Sequence, residues 1–224
     1  MQTFDPGSRA RLAPQDLSRF PDETLLHKVA RVLCALDCLP RKELFEAWEV
    51  ARRTRRRFRG GRVVDLAAGH GLLAHLMLLL DDRSPSALVV DPSSPQGAEP
   101  VHVALVAAWP RLEGRVTFLH ARIAQVPLAA DDVVVSAHAC GALTDEVLDA
   151  AVAVGARVAV LPCCHDVRTC DAGGLSGWMD PALAIDATRV ARLRAAGYVV
   201  HTQRIPAAIT AKNRLLLAEK EPLP

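Results

Sequence analysis

VVDLAAGHGLLAHLMLLL, residues 63–80, is the stretch that sets the fold expectation. A β-branched run ends at Asp65-Leu66, a turn holding Gly69 and Gly71 follows, and an apolar stretch broken only by His75 starts at Leu72. A buried strand that passes through a glycine turn straight into a helix is where an α/β sheet receives a nucleotide-like ligand. Glycine has no Cβ, so the backbone can turn sharply there and approach that ligand closely.

Downstream, short β-branched runs alternate with helical stretches, the pattern of a parallel sheet with crossover helices. Strands are predicted over 62–66, 87–91, 115–119, 132–136 and 157–161. Two more, over 198–203 and 213–219, are joined by a connection too short for a crossover helix, which predicts antiparallel pairing. The expected architecture is therefore a Rossmann-like α/β fold, a seven-stranded mostly parallel sheet with a terminal antiparallel pair. That strand sequence suits class I methyltransferases better than a symmetrical dinucleotide fold.

Upstream, residues 1–20 read as an irregular arm. Leu25, Leu26, Val29, Val32, Leu33 and Leu36 share one face of a helix that Pro40 should end. A second helix is predicted over 41–57, with Leu44, Phe45, Trp48 and Val50 inward. It leads into the cationic run Arg52, Arg53, Arg55, Arg56, Arg57, Arg59 and Arg62, interrupted by Phe58. Residues 1–59 are thus expected as an N-terminal helical extension and 60–224 as the ligand-binding domain.

Charge is unevenly placed. Up to Arg62 there are 14 Lys or Arg against 8 Asp or Glu, and beyond it 13 against 17, so a +6 region precedes a −4 one. Such asymmetry is compatible with an anionic partner such as RNA, with Phe58 placed to stack on a base. A solvated helix end is the other reading of the same arginines. The chain lacks an apolar run near the roughly 20 residues of a membrane helix and shows no signal core, so a cytoplasmic protein is expected. Six cysteines in that setting read as reduced thiols.

The carboxylates refine the ligand. Asp65 at the strand end suits a positively charged aminoacyl group, and Asp91, twenty residues beyond Gly71, suits the two ribose hydroxyls. Gly69-His70-Gly71-Leu72-Leu73-Ala74 also fits the dinucleotide form G-x-G-x-x-G/A, but a carboxylate at the mouth of the turn would repel a pyrophosphate. The expected cofactor is S-adenosylmethionine. Ala67 in the turn, Pro92, Ile123 after the third strand and Ser136 at the end of the fourth complete the expected contacts.

The fourth strand runs into SAHACGALTD and the fifth into LPCCH. Both ends belong to the carboxyl edge of the sheet, which gathers Ser136, His138, Cys140, Cys163, Cys164 and His165. Three chemistries fit them: His138 or His165 as a general base, zinc ligation that would include Cys170, or packing of small apolar thiols around hydrogen-bonded histidines. Adjacent cysteines are an unusual chelating pair, and no metal is expected. Trp178, on the glycine-rich stretch 171–181, either closes over an acceptor or anchors the loop to the core.

DLAAGHGLL, VVDPSS, SAHACGALTD and LPCCH together resemble the methyltransferase-like group that includes the tRNA acceptor-stem ribose methyltransferases and the glutathione-transferase-C-terminal-domain-containing protein. The resemblance covers roughly residues 60–220. It implies that Asp65, Gly69, Gly71 and Asp91 bind S-adenosylmethionine, and that His138, Cys140, Gly141, Pro162, Cys163 and Cys164 shape the methyl-transfer pocket. The expected function is methyl transfer from S-adenosylmethionine with RNA, tRNA or rRNA, as the acceptor. A small-molecule methyltransferase and a noncatalytic methyltransferase-fold binding module are the alternatives, and a dehydrogenase is the remaining enzyme reading.

Overall fold

A computed structural model describes residues 4–93 and 96–221, so Ser94 of the VVDPSS stretch lies outside the described residues. Strands β1 (Val63–Leu66), β2 (Ala87–Val90), β3 (Val116–Leu119), β4 (Val133–Ser136), β5 (Arg157–Val160), β6 (Tyr198–Arg204) and β7 (Arg214–Lys220) form one sheet in the order β3-β2-β1-β4-β5-β7-β6. The first five run parallel, and β7 inserts between β5 and β6, antiparallel to both. The seven-stranded sheet with its terminal antiparallel pair is the fold expected from the sequence, and each of the five parallel strands lies within a residue of its predicted limits.

The apolar runs are continuous because both faces of the sheet are covered. Val63, Val89, Val133 and Val135 enter one core, and Val64, Leu66, Val90 and Val134 enter the other. Helices α3 (Leu72–Leu79) and α4 (Ala98–Ala108) line the first face, and α5 (Leu143–Val154) and α6 (Pro181–Ala195) the second. Alternation along β1 sends Asp65 to the same side as Val63, toward α3.

The N-terminal segment supplies α1 (Leu25–Cys34) and α2 (Arg41–Arg57). The Thr24 hydroxyl caps α1 by accepting from the His27 amide. This helix ends six residues before the proline expected to stop it. Asp37 adopts a left-handed conformation, φ +46°, and the chain turns back to pair with the arm: Leu12 N–H donates to Leu39 O and Arg41 N–H to Ala10 O, both at 2.9 Å. Pro40 instead becomes the residue that caps α2. All eight residues of α3 are buried, because the sheet covers one side and α2 packs on the other. The arm joins the same core through Leu12 and Phe20.

The arginine-rich end of α2 departs from the surface reading at two positions. Arg55 is 2% exposed, donating to Met77 O (3.0 Å), Phe58 O (3.3 Å) and Ser84 Oγ (2.7 Å), with Asp81 at 3.3 Å. Burial pulls its guanidinium down to about 10 while Asp81 opposes that, so it stays charged at neutral pH. Phe58 is buried in the core and stacks on nothing outside. Neither residue can reach an RNA. The neighbours are tied as well: Arg52 and Arg53 to Glu49, Arg57 to Glu219, and Arg59 to Leu80 O. Arg56 is exposed.

These arginines also sit at a defined end of the sheet. Arg62 forks onto Asp132, beside the start of β4, and Arg157, at the start of β5, donates to the carbonyls of Arg59, Gly60 and Asp131. This is the amino edge of the parallel strands. The 17 residues of α2 span roughly 25 Å at 1.5 Å per residue, so its other end reaches the carboxyl edge.

Candidate active site

The turn after β1 is built by backbone conformations that suit few residues. Gly69 and Gly71 have φ of +55° and +72°, and Ala67 takes +54°. A Cβ on Gly71 would press on Val89 at 2.9 Å, so that glycine lets the turn pack on β2. A Cβ on Gly69 would enter the space in front of His138, 3.9 Å from its ring. The first glycine is therefore needed for φ and for room, and the second for φ and for close packing.

Asp65 and Asp91 hold this turn from two sides. Asp65, fully buried, accepts from the Ala74 amide at 3.1 Å. Burial pushes its carboxyl well above the usual range and the charges of Glu43 and Asp91 add to that, against the Ala74 hydrogen bond. Asp91 accepts from Gly69 N at 3.0 Å with Oδ2, and from Ser93 N and Oγ with Oδ1. Each carboxylate oxygen has two lone pairs, so Oδ2 retains one for a ligand, while Oδ1 is filled until the exposed Ser93 hydroxyl turns away from it.

Beside Asp91 opens a cleft of about 280 Å³, lined by Ala67, Val90, Pro92, Ala121, Arg122, Ile123, Leu143 and Glu146. Ala67, Pro92 and Ile123, all expected cofactor contacts, share its wall. Ser136 does not line it: the residue is buried, and its hydroxyl accepts from Ala139 N at 3.3 Å to shape the loop after β4.

Two groups of side chains stand at the carboxyl edge of the sheet. Cys140, Cys163 and Cys164 form a triangle with sulfur separations of 2.8, 3.4 and 3.7 Å. Cys140 and Cys164 are exposed and Cys163 half-buried. Burial pushes the Cys140 and Cys163 thiols up, so both are protonated and weakly nucleophilic at neutral pH. The second group is His70 and His138, which flank Glu43: its Oε1 accepts from His70 Nδ1 at 2.9 Å and lies 3.8 Å from His138 Nε2.

Glu43 is the residue that sequence reasoning missed. It lies in the first turn of α2, where an acid reads only as a favourable dipole partner. Twenty-seven residues separate it from His70, and the packing of α2 on α3 joins them.

His165 is placed apart from the thiol triangle. Its ring is 2% exposed, and Nε2 bonds Asp186 at 2.8 Å. Asp186 also receives Arg214 and Arg189, and Arg189 continues to Asp145. Burial opposes ionisation of Asp186, but hydrogen bonds from His165 and Arg214 and their charges hold its carboxyl below the usual range. Cys170 is buried near Arg189 and joins the same network. Trp178, by contrast, is 87% exposed and anchors nothing in the core.

A family model described as a methyltransferase domain matches residues 43–169, a stretch that opens at Glu43 and closes beyond the three clustered cysteines. Among solved structures, an O-methyltransferase family protein from Burkholderia thailandensis is similar over 93% of this chain, with 19% identity and a TM-score of 0.54. The chain spans 63% of that protein's own length. A putative rRNA-methylase from Clostridium thermocellum is similar over 77% of this chain and 93% of its own, at 13% identity and a TM-score of 0.54. The S-adenosylmethionine-dependent methyltransferase SibL, in its apo form, is similar over 94% of this chain and 66% of its own, at 20% identity and a TM-score of 0.51. At such identities the likeness is one of fold. No curated protein matches the chain.

Proposed function

The chain belongs to this methyltransferase-domain family, and on that premise we propose that it transfers a methyl group from S-adenosylmethionine to an acceptor held at the carboxyl edge of the sheet. The carrying observation is Asp91, fixed through Gly69 N beside a cleft of about 280 Å³, with one acceptor position free on Oδ2 and one on Oδ1 held only by the exposed Ser93 hydroxyl. Asp91 would take the ribose hydroxyls, and the wall formed by Pro92, Ala121 and Ile123 would take the adenine. The charges of Glu43 and Asp91 both bear on Asp65 across the turn. That negative field favours a cationic cofactor and disfavours the pyrophosphate of a dinucleotide.

When bound, S-adenosylmethionine supplies a methyl group on a sulfonium leaving group. The protein then has to align the acceptor and exclude competing water, with proton removal where the acceptor needs it. We assign such a proton step to His138, whose Nε2 stands 3.8 Å from Glu43 Oε1 without a hydrogen bond to it. His165, closed inside the Asp186 network, serves to hold the loop after β5 in place.

RNA is the acceptor class we favour, on the resemblance of the H-x-C-G and P-C-C segments and on Trp178, an exposed aromatic on the loop after β5 of the kind on which an unpaired base stacks. The arginines of α2 lend this reading no support at the carboxyl edge, since they lie at the other one. That placement favours a small-molecule acceptor as the second reading. Incubating the protein with methyl-labelled S-adenosylmethionine, in parallel with total RNA and with a metabolite extract, separates the two. Asp91→Ala should weaken cofactor binding by about a hundredfold or more, the equivalent of two hydrogen bonds to a charged acceptor, and should cost about 1–3 kcal/mol of stability because the Gly69 amide loses its partner. Unchanged affinity in calorimetry would overturn the cofactor assignment.

A further inference from the structure

We propose that Cys140, Cys163 and Cys164 form a binding site for a thiophilic d10 cation, zinc foremost. The three sulfurs, separated by 2.8, 3.4 and 3.7 Å, converge on one point from two loops. Three thiolates bound at about 2.3 Å to a tetrahedral zinc stand about 3.8 Å apart. The Cys163 to Cys164 spacing already matches, and the other two open by about 1 Å or less to reach it. The loops 137–142 and 161–170 carry no helix or strand, so they can supply that movement.

Adjacent cysteines alone make a poor chelate, but here Cys140 reaches across from the β4 loop to complete a three-point donor set. Among the described residues this is the one cluster of His, Cys, Asp or Glu whose donor atoms converge closely enough to hold a metal ion. Three soft donors select zinc or copper(I) and exclude magnesium and calcium, which require oxygen. Since Cys140 and Cys164 are exposed, the fourth coordination position faces outward and takes water or another neutral donor. Binding releases thiol protons to solvent and forms three metal–sulfur bonds, with no change in oxidation state. The cation would pin the β4 and β5 loops to each other, whichever acceptor the enzyme uses.

The test uses the full chain, purified with a phosphine reductant, stripped with a chelator and titrated with zinc against a chromophoric competitor. The expected result is one zinc per chain with a Kd below about 1 μM. Zinc should then protect Cys140, Cys163 and Cys164 from alkylation, read peptide by peptide, while Cys38 reacts as before. Cobalt should give a thiolate charge-transfer band that Cys164→Ser and Cys163→Ser weaken or abolish, with helical circular dichroism unchanged. Those variants should bind zinc about a hundredfold or more weakly. Zinc binding weaker than about 10 μM, equal affinity in the variants, or protection of other cysteines would overturn the proposal. So would a Cys140 to Cys163 disulfide whose reduced form takes no zinc.

Discussion

The two ends of α2 solve opposite problems. At its carboxyl end, Arg55, Arg57, Arg59 and the following Arg62 each meet an acid or a carbonyl, and Arg55 does so out of water. At its amino end, Glu43 faces the glycine turn among two histidines and two further acids, and a cleft and three unbridged thiols lie at the same edge of the sheet. Matched charges make a seam that holds the sheet together. Mutually opposed charges and open donors make a place where a ligand supplies what is missing. Stability and function are therefore separable by position along one helix, which mutations and pH can test.

The largest effect should come at the carboxyl end. Arg55→Ala removes one partner of a pair in which both side chains are buried, leaving Asp81 with two backbone amides and only the half-exposed Arg59, at 3.8 Å, as a charged partner. Breaking such a pair costs about 3–5 kcal/mol, a large share of what a domain of this size possesses. Urea unfolding should show that loss in its midpoint, while cofactor affinity measured well below the transition stays within about twofold. Replacing both Arg55 and Asp81 with apolar residues should recover much of the stability, because no buried charge then lacks a partner. A variant that kept its stability but lost cofactor binding would reverse the roles assigned to the two ends.

The next effect belongs to the site end and is set by pH. His75, in α3, donates from Nδ1 to Gly71 O at 2.7 Å and accepts at Nε2 from His102 at 3.0 Å. Burial pulls its pKa down from 6.5 to about 4, with the His102 charge assisting and the Gly71 hydrogen bond opposing. The folded state thus binds its proton later than the unfolded state on acidification. Its contribution is present above pH 6.5 and is lost as pH falls from 6.5 toward 4, by about 3 kcal/mol in total. Urea denaturation at pH 7 and at pH 5 should show the decline, and His75→Phe should flatten it. Arg55 and Asp81 stay charged throughout that window, so the seam should not add to the slope. An equal slope in the His75 variant would place the acid-sensitive group elsewhere.

The sheet was legible in the sequence because its signal is local. Val63 to Leu66 and Val133 to Val135 are β-branched runs bounded by turns, and a buried parallel strand needs little more. The glycine turn and its two acids were legible for the same reason. What escaped was set by packing between elements. Glu43 enters the site because α2 lies across α3, and Arg55 and Phe58 are buried by that same contact, whereas in the sequence they look like part of a solvated basic run. The three sulfurs could be placed at one edge from strand order alone, but their convergence depends on loop geometry that no periodicity reports. Pro40 failed as a helix terminator because the arm competes for the backbone of residues 39–41, an interaction between segments about 30 residues apart.

The smallest expected effect bears most directly on the acceptor. Arg57 pairs with Glu219 at 2.7 Å, with the two side chains 41% and 31% exposed, and Arg56 is exposed on the same turn. A surface pair of that kind contributes under about 1 kcal/mol, so Arg56→Ala combined with Arg57→Ala should leave stability nearly unchanged. Methyl transfer should be unchanged too, because these arginines lie roughly 20 Å along the helix from Glu43. The measurement that gives the variant its force is transfer to RNA across a salt series. Each phosphate that the variant no longer neutralises would lower the slope of log affinity against log salt by roughly 0.7 to 0.9. If rate and slope both fall, a long RNA crosses from one edge of the sheet to the other, and the seam is also a binding surface. If neither moves, recognition is confined to the carboxyl edge, and an acceptor must be small enough, or single-stranded enough, to be held there by Trp178 and the loops after β4 and β5.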